Sequence, residues 1–162
     1  MNKKITIVPA GEEHFEIAGD MAIKAWTPIH EEYKRLLGHE VHEQFFNDWR
    51  DKKKNSIINN LKTQRGYVAL VDNVVAGFIS YNINESTKTG EIMGNAVDDK
   101  FRGMGIGTMM YEFVIDKMRQ EGMVGVAVTT GGDDAHAPAR RSYEKAGFEK
   151  FLPSVKYYKK LD

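Results

Sequence analysis

Cysteine is absent from all 162 residues. Disulfide bonds, a thiolate nucleophile and cysteine-ligated zinc are therefore excluded. Neither sign of charge is in excess, since 23 Lys and Arg balance 23 Asp and Glu. A neutral chain argues against a nucleic-acid binder driven by phosphate contacts. No apolar run approaches the length that spans a bilayer, and Met1-Asn2-Lys3-Lys4 leads into a strand-like segment rather than an apolar leader. The expectation is a cytoplasmic protein with no membrane partner. Hydrophobic residues are 41% and charged residues 28%. That balance suits one globular domain over residues 1–162 with a sizeable core.

What the chain does have is a glycine cluster in the right place. Arg102-Gly103-Met104-Gly105-Ile106-Gly107-Thr108 runs straight into a helical pattern carried by Ile106, Met109, Met110, Phe113, Ile115 and Met118. Glycines ahead of a helix start free the backbone of Cβ atoms, so that N–H groups converge on an anion where the helix dipole is positive. The local physics points to phosphate or diphosphate. A dinucleotide fingerprint needs a strand running into its first glycine, whereas Asp98 to Arg102 is a polar loop. A Walker loop needs Lys after its last glycine, and Gly107 is followed by Thr108.

The rest of the chain alternates strands and helices. Lys4 to Val8 reads as a strand. A helical pattern opens at Gly11 and is interrupted at Trp26-Thr27-Pro28, because Pro28 biases Thr27 away from helix. A second helix runs to Leu37 with Gly38 as its stop, and a third from about Val41 to Leu61. Tyr67–Val71 and Val74–Tyr81 flank Asp72-Asn73, a two-residue hairpin turn. Gly90–Val97 is a further strand. Gly122 caps the glycine-loop helix, and Met123–Thr130 reads as a strand buried on both faces. A short helix follows, with Pro138 in its first turn and Gly147 at its end. Phe148–Leu152 and Val155–Tyr158 read as closing strands. The order implies a mixed sheet with helices on both sides.

Two motifs carry a family resemblance. Arg102, Gly105 and Gly107 fit Arg/Gln-x-x-Gly-x-Gly/Ala, and Tyr143-Glu144-Lys145-Ala146-Gly147-Phe148 fits Tyr-x-Lys-x-Gly-Phe. In this order they resemble the pyrophosphate loop and second signature of the GNAT superfamily of N-acetyltransferases. The run from Thr129 to Phe148 is similar to a bacterial subgroup of small single-domain enzymes. The resemblance implies the acyl-CoA N-acyltransferase fold, an α/β (α+β) arrangement. Its central sheet is mixed and mostly antiparallel, with about six to seven strands flanked by helices on both faces. It also implies acetyl-CoA as co-substrate and an amine as acceptor. Two positions depart from the pattern: His136 stands where Asn is frequent, and Asp99 where Pro is usual.

Residue roles follow from chemistry and resemblance together. With no cysteine, direct transfer in a ternary complex is the expected route. Acetyl transfer to an amine needs a base, a stabilised carbonyl oxygen and a proton for the leaving thiolate. The resemblance makes Tyr143 the acid; the alternative is a packed helix tyrosine with its hydroxyl satisfied locally. Glu91 is the candidate base, through a water, or else a solvated strand-start carboxylate. Period-2 alternation puts Glu91, Met93, Asn95 and Val97 on one face unless Gly94 marks a bulge. Asn95, where the superfamily often has Leu, either orients substrate or water or ties down the bulge. The backbone N–H groups of Ala96 and Val97 are the expected donors to the acetyl carbonyl or pantetheine. Gly103 to Thr108 would hold the pyrophosphate. Arg102, Arg140 and His136 are candidates to contact CoA, with solvated roles as the alternative.

The acceptor side is expected against the N-terminal helices. Trp26, His30 and Glu31 crowd the Pro28 break, where a carboxylate beside aromatics suits a cationic amine. An ordinary amphipathic face is the alternative. His39 and His42 with Glu43 read as polar surface, and no metal is expected. The reading is an acetyl-CoA-dependent N-acetyltransferase, monomer or homodimer, acting on a small amine or a protein amino group. Its rival is a non-catalytic acyl-CoA binding or sensing module that keeps the glycines without depending on Tyr143.

Overall fold

The computed structural model describes residues 3–162. β1 (Ile5–Pro9) leads into α1 (Glu12–Leu37), α2 (His39–Phe46) and α3 (Trp49–Leu61). β2 (Gly66–Val71) and β3 (Val74–Asn84) form the hairpin read from Asp72-Asn73, whose φ values of 49° and 68° suit a tight primed turn. β4 (Thr89–Ile92), β5 (Ala96–Val97), α4 (Ile106–Gln120), β6 (Gly125–Val128) and α5 (Ala137–Lys145) follow. The sheet order is β1-β2-β3-β4-β6, with β5 paired to β3. All pairings are antiparallel except β4 with β6. The mixed, mostly antiparallel sheet with helices on both faces is therefore the one expected.

Two cores cover the two faces. Ile106, Met110, Tyr111, Val114 and Met118 of α4 pack with Tyr67, Ala69, Ile79, Tyr81 and Ile92 on one side. Ala18, Met21 and Ala22 of α1 pack with Ile57, Leu61, Val68 and Phe78 on the other. Each fully buried Ile, Leu or Phe among these contributes about 1.5–3 kcal/mol of transfer free energy. The buried stripe of α4 differs from the expected one. Tyr111 and Val114 are inside, whereas Met109 is exposed.

Four other expectations are corrected. α1 runs unbroken through Pro28. Proline removes one N–H donor, but Pro28 and Lys24, whose carbonyl loses that partner, are both exposed, so water can satisfy it. Thr27 also ties down its own turn, donating Oγ1–H to the Ile23 carbonyl at 2.7 Å. The expected third helix is broken at Asn47-Asp48 into α2 and α3. β6 is half-buried rather than covered on both faces, because it is the last strand of the sheet. Phe148–Leu152 and Val155–Tyr158 form no strand. Pro153 lacks the N–H a ladder would use there, and the segment packs instead on α2. Tyr158 sits 5.0 Å from Phe45 edge-on, and Lys160 Nζ lies 3.1 Å from Glu40 Oε2.

Candidate active site

A bulge organises the site. Tyr81 pairs with Ile92, and Met93 N–H donates to the Ser80 carbonyl at 2.8 Å. Further along, Phe78 pairs with Ala96. Gly94 and Asn95 together therefore oppose Ile79, one residue more than the ladder can pair. The extra residue reverses the faces beyond it. Ile92 and Val97 belong to the α4 core, and Ala96 to the α1 core. Asn95 consequently faces α4 and α5, opposite Glu91, and not with it as unbroken alternation would have it. Space makes Gly94 the bulge residue, since a Cβ there would lie 2.4 Å from Ile57 Cδ1.

The same bulge opens the sheet. β4 and β6 pair in parallel up to Ile92 and Val128, and then the two paths part. β5 turns to β3, leaving its other edge towards the split. Asp98 N–H donates to the Ala76 carbonyl at 2.8 Å. By alternation, Ala96 N–H also points at β3, and Val97 N–H points into the split. Of the two expected backbone donors, only Val97 is free to serve. The commitment of Ala96 to the ladder corrects that expectation.

At the mouth of the split stands the glycine loop. Gly103 and Gly105 have φ of 78° and 76°, left-handed values that only glycine adopts without strain. Gly105 is the residue just before α4, and the first bond of the helix is donated by Met109 N–H to its carbonyl at 3.0 Å. The N–H groups of Ile106, Gly107 and Thr108 precede that bond and have no intrahelical partner. Together they leave three unpaired backbone donors at the positive end of the α4 dipole, an arrangement able to receive an anion. Arg102 does not join it, because its guanidinium lies 2.6 Å from Asp99 on the exposed surface.

Tyr143 of α5 is buried over the bulge. Asn95 Nδ2 donates to its hydroxyl at 3.1 Å and to the Met93 carbonyl at 3.1 Å. Tyr111 of α4 donates its O–H to Asn95 Oδ1 at 3.0 Å. Burial pushes the pKa of Tyr143 above the ordinary phenol value, and the hydrogen bond donated by Asn95 opposes that rise. Tyr111 is pushed up too, by burial first and by Tyr143 second. Tyr111 was missed in the sequence. Completing the i, i+4 series from Ile106 through Met110 would have shown the inward face that Tyr111 and Val114 share.

The remaining candidates are dispersed. Glu91 is exposed and accepts from Thr129 Oγ1 at 3.3 Å. His136 is held by Asp133, Nδ1 to Oδ2 at 2.6 Å, and its ring lies 6.2 Å from Tyr33. Arg140 donates to the carbonyls of Gly131 and Asp133 at 2.6 and 2.7 Å, so it shapes the β6–α5 loop. Trp26 packs on the α1 core with Lys53 Nζ 4.3 Å above its ring. Glu31 is an exposed carboxylate of α1. His30 is not on a binding wall: it is 7% exposed, stacked on Trp49 at 4.0 Å. His42, read as surface, is buried beside it.

Similar folds recur among solved structures. AAC(6')-Iy in complex with the bisubstrate analog CoA-S-monomethyl-acetylneamine aligns over 98% of this chain and 99% of its own, at 18% identity and a TM-score of 0.66. The paia N-acetyltransferase from Thermoplasma acidophilum in complex with coenzyme A covers 90% of each chain, at 17% identity and a TM-score of 0.69. The aminoglycoside antibiotic 6'-N-acetyltransferase AAC(6')-Ih from Acinetobacter baumannii covers 98% of this chain and 100% of its own, at 15% identity and a TM-score of 0.63. At such identities the likeness is one of fold. No curated protein sequence matches the chain. The Acetyltransferase (GNAT) family model matches residues 26–148, a span holding the bulge, the glycine loop and Tyr143, and the chain belongs to that family.

Proposed function

We propose that residues 1–162 form one acetyl-CoA-dependent N-acetyltransferase domain. It moves an acetyl group to a primary amine of a small molecule or protein, by direct transfer in a ternary complex. The observation that carries this reading is the parting of β5 from β6, with a glycine nest at its mouth and a buried tyrosine hydroxyl at its bulge. The residues fit CoA. Gly103 to Thr108 offer backbone donors to the pyrophosphate, and Val97 N–H offers one to the acyl carbonyl or a pantetheine amide. Arg140 and Asp133 act by holding the loop on the other side of the split.

Bound acetyl-CoA supplies an acetyl thioester. As the amine nitrogen bonds to the acetyl carbon and the C–S bond breaks, two protons must move. Glu91, through a water, takes the proton leaving the amine. Tyr143 gives its hydroxyl proton to the departing thiolate and regains one from solvent. A phenol suits that task because it stays neutral at working pH and is held so by burial. The acceptor approaches from α1, where Glu31 would attract a cationic amine and Trp26 gives an apolar wall.

Calorimetric titration with acetyl-CoA tests the reading, with CoA and ATP as controls. Binding of acetyl-CoA and CoA but not ATP is the expected result. Absence of both CoA signals would overturn it. A purely binding module would show the same titration but no thiol release with any primary amine.

A further inference from the structure

The hydrogen bonds around Asn95 have fixed directions. A backbone carbonyl can only accept, so the amide atom 3.1 Å from the Met93 carbonyl must be Nδ2. Its second proton goes to the Tyr143 hydroxyl oxygen, also 3.1 Å away. Oδ1, turned the other way, takes the hydroxyl proton of Tyr111 at 3.0 Å. Tyr143 is thus an acceptor towards Asn95, and its own proton is not spent there. Reversing the amide would set Oδ1 against the Met93 carbonyl and Nδ2 against a hydroxyl already aimed at it. Tyr111 and Tyr143 are both buried, so little water competes for these bonds.

We propose that Tyr111, acting through the amide of Asn95, is a positioning residue that turns the hydroxyl proton of Tyr143 towards the split between β5 and β6. The proposal rests on Tyr143 as the acid of the reaction. It also gives the bulge a reason. Without the extra residue at Gly94-Asn95, Asn95 would face the α1 side and could not meet either phenol. Tyr111 touches neither substrate nor cofactor in this scheme. Together with the Met93 carbonyl it holds the amide one way round, and the amide fixes which way a phenol donates.

Two near-isosteric variants test this. Tyr111→Phe removes the donor that holds Oδ1. Asn95→Asp replaces the amide by a carboxylate that accepts from both phenols, drawing the Tyr143 proton inwards. The readout is carbon NMR of protein labelled at tyrosine Cζ, titrated with pH, with Tyr143 assigned by Tyr143→Phe. The acidity constant of Tyr143 should fall about threefold in Tyr111→Phe and tenfold or more in Asn95→Asp, so that it titrates at higher pH. An unchanged titration in either folded variant, or a shift to lower pH, would overturn the proposal. Should one variant fail to fold, the other carries the test. Thiol release from acetyl-CoA with a panel of primary amines is then compared. A kcat lowered in both variants at unchanged acetyl-CoA KM is expected, and an unchanged kcat overturns a positioning role. The NMR result is independent of turnover. Normal turnover in Tyr143→Phe alongside shifted titrations would sink the acid and leave the hydrogen-bond directions standing.

Discussion

His30 of α1 and His42 of α2 meet nitrogen to nitrogen, with Nδ1 of one 3.3 Å from Nε2 of the other. Such a bond needs one ring to donate and the other to accept, so the accepting ring must be neutral. The ring of His30 lies flat on Trp49, and Lys53 and Arg50 add positive charge nearby. Burial first, then His42, Lys53 and Arg50, push the pKa of His30 from 6.5 down to about 4.

That shift makes stability depend on pH. Between about 4 and 6.5 the unfolded chain binds a proton at His30 and the folded chain does not, so stability rises with pH across that window. The contribution is complete above 6.5 and is lost as pH falls towards 4. From the size of the shift it amounts to about 3 kcal/mol. Urea denaturation of wild type and His30→Gln at pH 7.5 and pH 4.5 measures it. The wild type should lose more stability between the two pH values than the variant. Equal losses would mean that His30 is protonated in the folded protein.

Gly105 holds a left-handed φ of 76° one residue before α4. Any side chain there costs about 1–2 kcal/mol in backbone strain. Gly105→Glu adds a negative charge at the donors of Ile106, Gly107 and Thr108. Acetyl-CoA affinity should fall beyond calorimetric detection while the fold survives. Gly105→Ala should weaken binding less, because it brings the strain without the charge. Undiminished affinity in Gly105→Glu would place the pyrophosphate elsewhere.

Tyr143→Phe keeps the ring contacts with Tyr111 and Phe148 and deletes only the hydroxyl. If the phenol protonates the leaving thiolate, kcat should drop about 100-fold, the lower end for loss of a general acid. The acetyl-CoA dissociation constant should change little. Steady-state thiol release gives the first quantity and calorimetry the second. A drop in affinity with kcat intact would assign Tyr143 to binding instead.

How much of this was legible in the sequence depended on whether the signal was local. Asp72-Asn73, Gly38, Gly105 and Gly122 each mark a place where the backbone must turn left-handed or stop, and each turned up where it was read. The Gly94 bulge was legible only as the alternative to unbroken alternation. Its consequence was not, because a one-residue slip reverses which side chains share a face, and only the pairings of Ser80 and Phe78 reveal it. Pro28 misled because a proline whose lost partner faces solvent need not end a helix held by packing on α3 and β3. His30 misled because charge and polarity say surface, and only the stacking on Trp49 says interior. The two closing strands failed for a different reason. Apolar composition continues to Tyr158, but Pro153 interrupts it, and the aromatic anchor on α2 competes with the edge of β6.

Arg140 offers a separate test of the loop opposite the bulge. Its guanidinium donates to two backbone carbonyls, of Gly131 and Asp133, and touches no carboxylate there. Charged donors to carbonyls contribute about 1.5–3 kcal/mol each before screening. Arg140→Met keeps much of the stem's packing and removes both bonds. Stability should fall by about 2 kcal/mol, and acetyl-CoA affinity should weaken through loss of loop order. Arg140→Lys should recover only part of either, since one ammonium cannot reproduce the planar fork. An affinity loss with stability unchanged would instead point to direct contact between Arg140 and the CoA phosphates.

The last prediction concerns the bulge itself. The φ of Gly94 is not left-handed, so its backbone would accept an alanine, and the obstacle is space. The new Cβ would sit 2.4 Å from Ile57 Cδ1, the tip of a buried side chain of α3. Gly94→Ala should therefore destabilise by about 1–3 kcal/mol through overpacking. Ile57→Val alone removes that Cδ1 and should cost about 1 kcal/mol through the cavity it leaves. Combined, each change fills or relieves what the other creates. The double variant should be more stable than Gly94→Ala, with a coupling of about 1 kcal/mol or more. Thermal or urea denaturation of the four proteins closes this cycle. Strict additivity would mean that Gly94 is needed for the path of the chain and not for its contact with Ile57. In that case Tyr143 should also titrate at higher pH in Gly94→Ala, because the path of the chain is what brings Asn95 to it.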